Sequence, residues 1–345
     1  MKLLIITQKV DKDDPILGFF YRWIDVFSKN CESIVVICLY KGKNELPNNV
    51  KVLSLGKEIR ESRIRYIINF YKYIWIERKN YDSVFVHMNQ IYVILGGVFW
   101  KLYNKNISLW YTHRSVTKSL RIATLIVDKI FTASKESFRL KSNKINVMGH
   151  GIDVDIFKPL NFNKNGNEFK IVSVGRFTQS KGYEFMIDAV NTIKSNRKIT
   201  CEFWGEAVMY RDVEYVEKLN KKIETSPNNT FEMKGKVSQD KLCDILNSAD
   251  LFLNMSDTGS LDKAILEAMA SGTIVITSNP AFEKIFSNHP FLFTNRNADD
   301  LAKSINKVLM LDSKNKSIND YYVKYVNENH SLKLLIPRII TNLNK

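Results

Sequence analysis

The sequence lacks the features that mark several common classes of protein. It has no Gly-x-Gly-x-x-Gly after its first apolar run, where Asp11 to Gly18 stands instead, and this weighs against an NAD-dependent enzyme. Its four cysteines, Cys31, Cys38, Cys201 and Cys243, form no Cys-x-x-Cys pair. We therefore expect buried free thiols of a reducing compartment rather than a metal or redox site.

Long apolar runs are also missing. No stretch reaches the length that would cross a membrane. The first apolar run, Leu3 to Thr7, is far too short for a signal sequence and predicts a strand instead. We expect a cytoplasmic protein, and peripheral contact with the inner face of a membrane stays open.

Acidic residues are scarce in the first half of the chain. The whole sequence has 51 Lys+Arg and 36 Asp+Glu, and its 345 residues suit two domains. Residues 1–165 hold 27 basic and 14 acidic residues, whereas the remainder holds 24 and 22. A one-sided basic domain attracts an anionic partner, which would be nucleic acid, acidic lipid or a phosphorylated substrate.

Short apolar runs alternate with helical stretches along nearly the whole chain. This alternation predicts an α/β fold with doubly wound parallel sheets. The polar, glycine-containing segment Asn161 to Glu168 predicts a domain boundary, after which the pattern restarts. The predicted domains are residues 1–160 and 166–325. Residues 326–345 are expected to form a C-terminal helix that packs back toward the N-terminal domain.

The stretch Leu251 to Ser278 predicts one βαβ unit, with a strand, a glycine-containing turn, a helix and a second strand. Ligands of parallel sheets bind outside the carboxyl ends of the strands, which here means Ser256 to Leu261. Glu267 lies about a turn and a half into the helix and could accept hydrogen bonds from ribose hydroxyls. On spacing alone, a solvated helix glutamate is the other interpretation.

A second charged loop follows the strand that ends at Val174. Arg176 and Lys181 lie between Gly175 and Gly182, and two cations on such a loop can clamp a diphosphate. The spacing is not that of a P-loop. Gly205, at the end of the following strand, is also predicted to bind substrate.

The segment Glu58 to Lys79 is the most basic and aromatic helix candidate. Its residues Tyr66, Phe70 and Ile74 can share an apolar face, with basic residues around much of the remainder. Such a helix either packs on the sheet with its basic side in solvent or lies against anionic lipid head groups. No RNP-like, helix-turn-helix or zinc motif supports a nucleic-acid groove, and no nucleic acid is expected as a partner.

Three motifs resemble the retaining GT-B glycosyltransferases of family 4. They are V-G-R-F-T-Q-S-K-G from Val174, S-D-T-G-S-L-D-K-A-I-L-E-A-M-A-S-G from Ser256 and G-H-G-I-D-V-D-I-F-K-P from Gly149. The resemblance implies two Rossmann-like domains facing across a cleft. The second would bind a nucleotide-diphosphate sugar, with UDP or GDP, and the first a saccharide or lipid-linked saccharide acceptor.

The same resemblance assigns roles to individual residues. Arg176 and Lys181 match the pair that neutralises the leaving diphosphate, and Glu267 matches the glutamate that holds the ribose. His113 matches a histidine that contacts the transferred sugar, and Gly18 a glycine beside the diphosphate. The loop that follows Met255 matches the segment whose backbone meets phosphate and sugar, through Gly259, Ser260 and Leu261.

The chain departs from the family pattern at one position. A second glutamate usually stands eight residues before the ribose-binding one, and here that position is Gly259. Asp257 and Asp262 are nearby, and either could replace its contact with the sugar. Retaining transfer in this family proceeds by front-face attack assisted by the leaving phosphate, so the lost carboxylate need not abolish activity.

Together, these features predict a hexosyltransferase of cell-surface polysaccharide or glycan synthesis that needs no metal and no cofactor. Asp153-Val154-Asp155 has the D-x-D spacing of some metal sites, but such spacing is common by chance. The alternative is a non-catalytic nucleotide-sugar-binding or regulatory protein on the same scaffold. An anionic membrane surface is a further partner that residues 58–79 would suit.

Overall fold

A computed structural model describes residues 1–14, 17–162, 164, 166–227, 230–311 and 316–344. Residues 163 and 165 of the predicted linker lie outside these ranges. Contacts divide the chain into two compact units. Unit 1 comprises Met1–Asp153 and Asn329–Lys345, and unit 2 comprises Val154–Glu328. The structural division thus falls a few residues before the predicted linker, which lies inside unit 2.

Unit 1 is built on a parallel sheet of seven strands in the order β3-β2-β1-β4-β5-β6-β7. The strand bounds are Lys2–Val10 (β1), Ser33–Lys41 (β2), Val50–Ser54 (β3), Ser83–His87 (β4), Asn106–Trp110 (β5), Lys129–Thr132 (β6) and Ile145–Val147 (β7). The central strands are buried on both faces, which explains their continuous Val, Ile and Leu runs.

Helices cover both faces of this sheet. Those of the first part of the chain are Gly18–Ser28 (α1), Arg63–Ile76 (α2), Ile91–Leu102 (α3) and Lys118–Ile126 (α4). One apolar core holds side chains of α2, α3 and α4, and the core on the other face holds those of α1. The predicted helix from Glu58 starts late, because the Ser62 hydroxyl caps α2 by accepting a hydrogen bond from the Arg65 N–H at 3.2 Å.

Unit 2 is built on a second parallel sheet, of five strands in the order β10-β9-β8-β11-β12. The bounds are Glu168–Val174 (β8), Lys198–Trp204 (β9), Phe231–Gly235 (β10), Leu251–Asn254 (β11) and Ile274–Thr277 (β12). Its helices are Tyr183–Thr192 (α5), Tyr210–Glu224 (α6), Gln239–Ser248 (α7), Lys263–Ala270 (α8), Ala298–Leu309 (α9) and Lys316–His330 (α10), whose last residues pass into unit 1. The predicted α/β class with two parallel-sheet domains is confirmed.

One predicted strand is wrong. The apolar residues Phe291 to Phe293 predict a strand, but Pro290–Leu292 forms a 3-10 turn. Pro290 has no backbone N–H to give to a sheet and a φ angle that suits a first helical position, so the turn prevails over the apolar pattern. Only Phe293 makes an isolated bridge, to Thr277.

The chain ends in unit 1. The last helix, α11, spans Leu332–Leu343 and includes Pro337. The C-terminal helix expected from residue 326 is therefore divided between the end of α10 and α11. Its residues Leu335, Ile336 and Ile339 are buried in the same core as α1. The Ile152 N–H donates to the His330 carbonyl at 2.7 Å and the Leu332 N–H to the Ile152 carbonyl at 2.8 Å. All four cysteines are buried.

Candidate functional site

The sheet of unit 2 changes direction between β8 and β11. From β8 the chain moves outward to β9 and β10, and it then returns to β11 on the other side of β8 before adding β12. The loops after these two neighbouring strands therefore diverge and leave a crevice at their carboxyl ends, where ligands of open parallel sheets bind. Both charged loops singled out in the sequence follow these two strands.

Close backbone approach shapes the loop after β8. A Cβ on Gly205 would lie 1.8 Å from the Gly175 carbonyl oxygen, so only glycine fits there. Gly182 has a φ of 66°, and a Cβ on it would lie 2.8 Å from the Met255 carbonyl oxygen. Gly182 thus brings the loop after β8 against the end of β11. Arg176 is exposed on this loop.

Lys181 meets Asp262 at the same edge of the sheet. The Lys181 ammonium pairs with Asp262 Oδ2, and the two side chains are only 15% and 13% exposed. Asn254 Nδ2 donates to the same oxygen at 3.0 Å, while Asp262 Oδ1 caps α8 by accepting from the Ala264 N–H at 3.2 Å. Burial acts to raise the pKa of Asp262, but Lys181 and these donors outweigh it and lower the pKa.

Glu267 is a buried carboxylate and not a solvated helix residue. Its side chain is 5% exposed and pairs with the Lys263 ammonium one turn earlier on α8. Burial raises the pKa of Glu267 despite the opposing attraction of Lys263. A buried carboxylate with one ammonium partner keeps acceptor capacity, and this is what a ribose-binding group requires. The interpretation as a surface glutamate is therefore wrong.

The loop between β11 and α8 carries the remaining predicted contacts. Ser256 and Leu261 are buried, and the Ser256 hydroxyl has no hydrogen-bond partner among the described residues. The Ser260 carbonyl accepts from Asn279 Nδ2 at 2.9 Å, which fixes the middle of the loop. Gly259 has a φ of 63°, so the backbone itself favours glycine where the family usually has a glutamate.

Arg296 was missed by the sequence reasoning and connects the two loops. Its Nε donates to the Met255 carbonyl at 2.9 Å, and its Nη2 donates to the Gln179 carbonyl at 2.7 Å. Nη1 lies 3.4 Å from Asp257 Oδ2. One guanidinium therefore holds the segment after β8 and the segment after β11 together. No motif surrounds Arg296 in the sequence, so only the tertiary structure reveals this role.

Asp257 and Asp262 differ in their surroundings. Asp257 is exposed and pairs with Arg296, whereas Asp262 is largely buried, pairs with Lys181 and caps α8. Every acceptor position of Asp262 Oδ2 is thus directed at protein donors. Of the two, Asp257 is the carboxylate that can reach a ligand without breaking a buried ion pair.

Two predicted residues lie in unit 1. Gly18 is the first residue of α1, and its N–H donates to the Asp14 carbonyl at 2.9 Å. His113 is exposed in the loop after β5, and its Nδ1 accepts from the Ser115 N–H at 3.1 Å. This bond leaves Nε2 as the N–H of the neutral ring.

The two sheets and this crevice define the class of protein: a GT-B-type fold of two Rossmann-like units. Solved structures agree with that class. HepE from Anabaena, in complex with UDP, superposes with a TM-score of 0.78 at 16% identity over 100% of both chains. WaaG, a glycosyltransferase involved in lipopolysaccharide biosynthesis, gives a TM-score of 0.65 at 12% identity over 99% of both.

A family match falls in unit 2. Residues 156–324 match the family described as glycosyl transferases group 1. The match contains both charged loops, α8 and Arg296.

Among the described residues, no helix is long and apolar enough to cross a membrane.

Curated relatives are similar over part of their length. Protein CapJ of Staphylococcus aureus is 26% identical over 222 residues, which are 62% of this chain and 52% of CapJ. The capsular polysaccharide biosynthesis glycosyltransferase CapH of the same species is 24% identical over 270 residues, 70% of this chain and 72% of CapH. The chain thus spans about half the length of CapJ and nearly three quarters of CapH.

Proposed function

We propose that the protein is a retaining glycosyltransferase that moves a sugar from a UDP- or GDP-sugar to a saccharide or lipid-linked saccharide acceptor. One observation carries the proposal: Lys181 and Asp262 form a largely buried ion pair between the loops after β8 and β11, where the sheet of unit 2 changes direction, and Asp262 caps the helix that carries the buried Glu267. The family match and the UDP held by HepE support a nucleotide-sugar donor.

The proposed chemistry assigns each group a task. Glu267 accepts hydrogen bonds from the ribose hydroxyls, and Arg176 and Lys181 face the diphosphate. As the bond between the anomeric carbon and the phosphate oxygen breaks, its electron pair stays on the leaving phosphate, whose growing charge the two cations stabilise. The acceptor hydroxyl attacks the same face of the sugar and gives its proton to that phosphate.

Two features of the site fit this route. Gly259 offers no carboxylate where the family usually has one, so the proposal assigns the role of base to the leaving phosphate. Side-chain cations neutralise the diphosphate, so turnover is expected to persist in a metal chelator. The similarity to CapH favours an acceptor in capsular polysaccharide synthesis.

The test begins with binding and continues with turnover. Nucleotide-sugars are screened by thermal shift, because a ligand that binds only the folded form raises the Tm. The hits are then assayed for release of nucleoside diphosphate with a panel of saccharide acceptors. Arg176→Ala and Lys181→Ala should each lower kcat/KM by about 100-fold or more. Lys194→Ala, which removes an exposed cation elsewhere in unit 2, should not.

The outcomes separate the two candidate functions. Binding of a nucleotide-sugar without hydrolysis or transfer over the whole acceptor panel would favour a binding or regulatory protein, which the missing carboxylate at Gly259 also motivates. Normal turnover in both cation variants would refute the proposed diphosphate clamp.

A further inference from the structure

Three helices of unit 1, α2, α3 and α4, form one continuous surface, called here the three-helix surface. The Tyr71 hydroxyl of α2 donates to the Leu95 carbonyl of α3 at 3.0 Å. Further along, the Trp75 and Phe99 rings lie 6.0 Å apart. Gly97 allows α4 to approach α3, because a Cβ there would lie 2.4 Å from Ile126. All three helices pack on the same face of the sheet.

The outer side of this surface is apolar. The most exposed hydrophobic side chains are Ile64 at 72%, Val98 at 71%, Leu102 at 75% and Leu125 at 80%. Others on the same helices are exposed by 43% to 53%: Ile67, Ile68, Tyr71, Trp75, Ile76, Ile91 and Ile122. An apolar group of this extent, rimmed by charge, marks an interaction surface rather than scattered surface leucines.

The charge of the three-helix surface has one sign. The helices contain six basic residues, Arg63, Arg65, Lys72, Lys101, Lys118 and Arg121, and no Asp or Glu. Lys101 is engaged by Asp128 just after α4. Beyond the end of α2, the Arg78 guanidinium lies 4.3 Å from the centre of the Trp75 ring, so a cation and an amphipathic aromatic share the rim.

This combination selects the partner. A second copy of the chain would bring cations against cations with no carboxylate on either helix set, which is unfavourable at a self-association interface. Nucleic acid would attract the cations but would offer no apolar surface to the isoleucines and leucines. An anionic bilayer offers both parts, since its head groups attract Lys and Arg while the boundary with the acyl chains takes up apolar side chains.

We propose that the three-helix surface docks unit 1 on an anionic lipid bilayer, with Val98, Leu102 and Leu125 entering the head-group boundary and the cations on its surface. Unlike a single basic helix over residues 58–79, this surface needs α3 and α4, which carry its most exposed apolar residues. The inference does not depend on the proposed enzymatic activity, because vesicle binding is measured without donor or acceptor.

The experiment is co-sedimentation of the full chain with vesicles. Vesicles of phosphatidylcholine with phosphatidylglycerol should retain the protein, and vesicles of phosphatidylcholine alone should retain much less of it. Leu102→Glu with Leu125→Glu should weaken retention by about tenfold or more, since two apolar insertions become two repelled charges. Leu334→Glu with Met310→Glu adds the same charges at exposed sites outside this surface and should retain binding.

The cations are tested separately. Replacing Arg63, Lys72 and Arg121 with Gln should reduce retention and its dependence on salt. Lys194, Lys221 and Lys307, replaced likewise in unit 2, form the matched control for net charge. Equal losses in both triple variants would reduce the effect to overall charge and overturn the proposal. So would undiminished binding by the two-leucine variant, or a dimer in light scattering that this variant converts to a monomer.

Discussion

Lys181 and Asp262 are 81 residues apart in the sequence and form a largely buried ion pair at the carboxyl ends of β8 and β11. The pair joins the loop expected to hold a diphosphate to the N-cap residue of α8, the helix that carries Glu267. Asp262 is therefore the partner of the Lys181 ammonium within the protein. A diphosphate would have to share or replace that partner.

Asp262→Asn keeps a side chain that can cap α8 but removes the charge that Lys181 faces. We expect the free energy of unfolding to fall by about 3 kcal/mol, because a buried cation loses its counter-charge. A nucleoside diphosphate should restore part of this loss, so UDP or GDP should raise the Tm of the variant more than that of the natural protein. The measurements are urea unfolding and thermal shift.

The control for this prediction is Asp188→Asn, which breaks the more exposed pair of Asp188 with Lys222. Exposed pairs contribute about 0 to 1 kcal/mol, so this variant should unfold almost as the natural protein does. If the two variants lose the same free energy, the pair of Lys181 and Asp262 has no special role in stability.

Glu267→Gln removes a carboxyl group whose pKa burial has raised. Such a group binds its proton more tightly in the folded state than in the unfolded state. Its contribution to the free energy of unfolding is therefore fully present below the ordinary pKa of 4.5 and is lost as the pH rises through the raised pKa. We expect the variant to lose this part of the pH dependence, as measured by urea unfolding from acid to neutral pH.

The same variant should bind nucleotides more weakly, because an amide accepts fewer hydrogen bonds than a carboxylate. Glu283→Gln, an exposed substitution in unit 2, controls for the loss of one acidic group. Nucleotide affinity that is equal in the two variants would remove Glu267 from the ribose site even if the pH dependence follows the prediction.

Arg296→Met should separate the two loops that this guanidinium connects. Its bonds to the Met255 and Gln179 carbonyls are lost together, so we expect about a tenfold loss of nucleotide affinity and a larger loss of kcat/KM than of overall stability. Arg296→Lys should not restore function, since one ammonium lacks the planar fork that reaches both carbonyls. Isothermal titration with a nucleoside diphosphate measures the effect.

Lys307→Met, an exposed substitution on α9, is the control for a lost cation. A positioning role for Arg296 would be contradicted by full activity of Arg296→Met, or by a complete rescue with lysine. Either result would mean that the loops hold their arrangement without the guanidinium.

Gly259→Glu would restore the glutamate that the family usually has. At a φ of 63° any side chain strains the backbone, so both Gly259→Glu and Gly259→Ala should lower the free energy of unfolding by about 1–2 kcal/mol. The two variants share this backbone cost, so a difference in donor preference between them would come from the carboxylate alone. No loss of stability in Gly259→Ala would show that the loop does not require glycine.

Much of the fold could be predicted from the sequence, because parallel strands buried on both faces leave continuous apolar runs between helical patterns. Motif spacing also located the loop that carries Lys181 and the helix that carries Glu267. It could not distinguish a buried Glu267 from a solvated one, since a helical pattern alone does not show which side of the helix the rest of the fold covers. The pairing of Asp262 with Lys181 and the bridging role of Arg296 join residues that are distant in sequence, so local patterns do not reveal them.

The strand predicted at Phe291 is wrong, because the prediction followed the apolar composition and gave too little weight to the preceding Pro290. The start predicted for the helix at Glu58 is wrong for a similar reason, because the Ser62 hydroxyl caps α2 and sets its start. Caps and turns that a single side chain decides are therefore where pattern reasoning is weakest in this chain.

Because α11 belongs to unit 1, the order of synthesis also determines which unit can finish folding first. Residues of α11 are part of the core that contains α1, yet all of unit 2 is translated between them. Unit 1 is therefore begun first but keeps an incomplete apolar core until α11 is synthesised. Unit 2 can fold around its own sheet before that. A nascent chain arrested before Leu332 emerges should present a finished unit 2 beside an unfinished unit 1, the form that a chaperone would recognise.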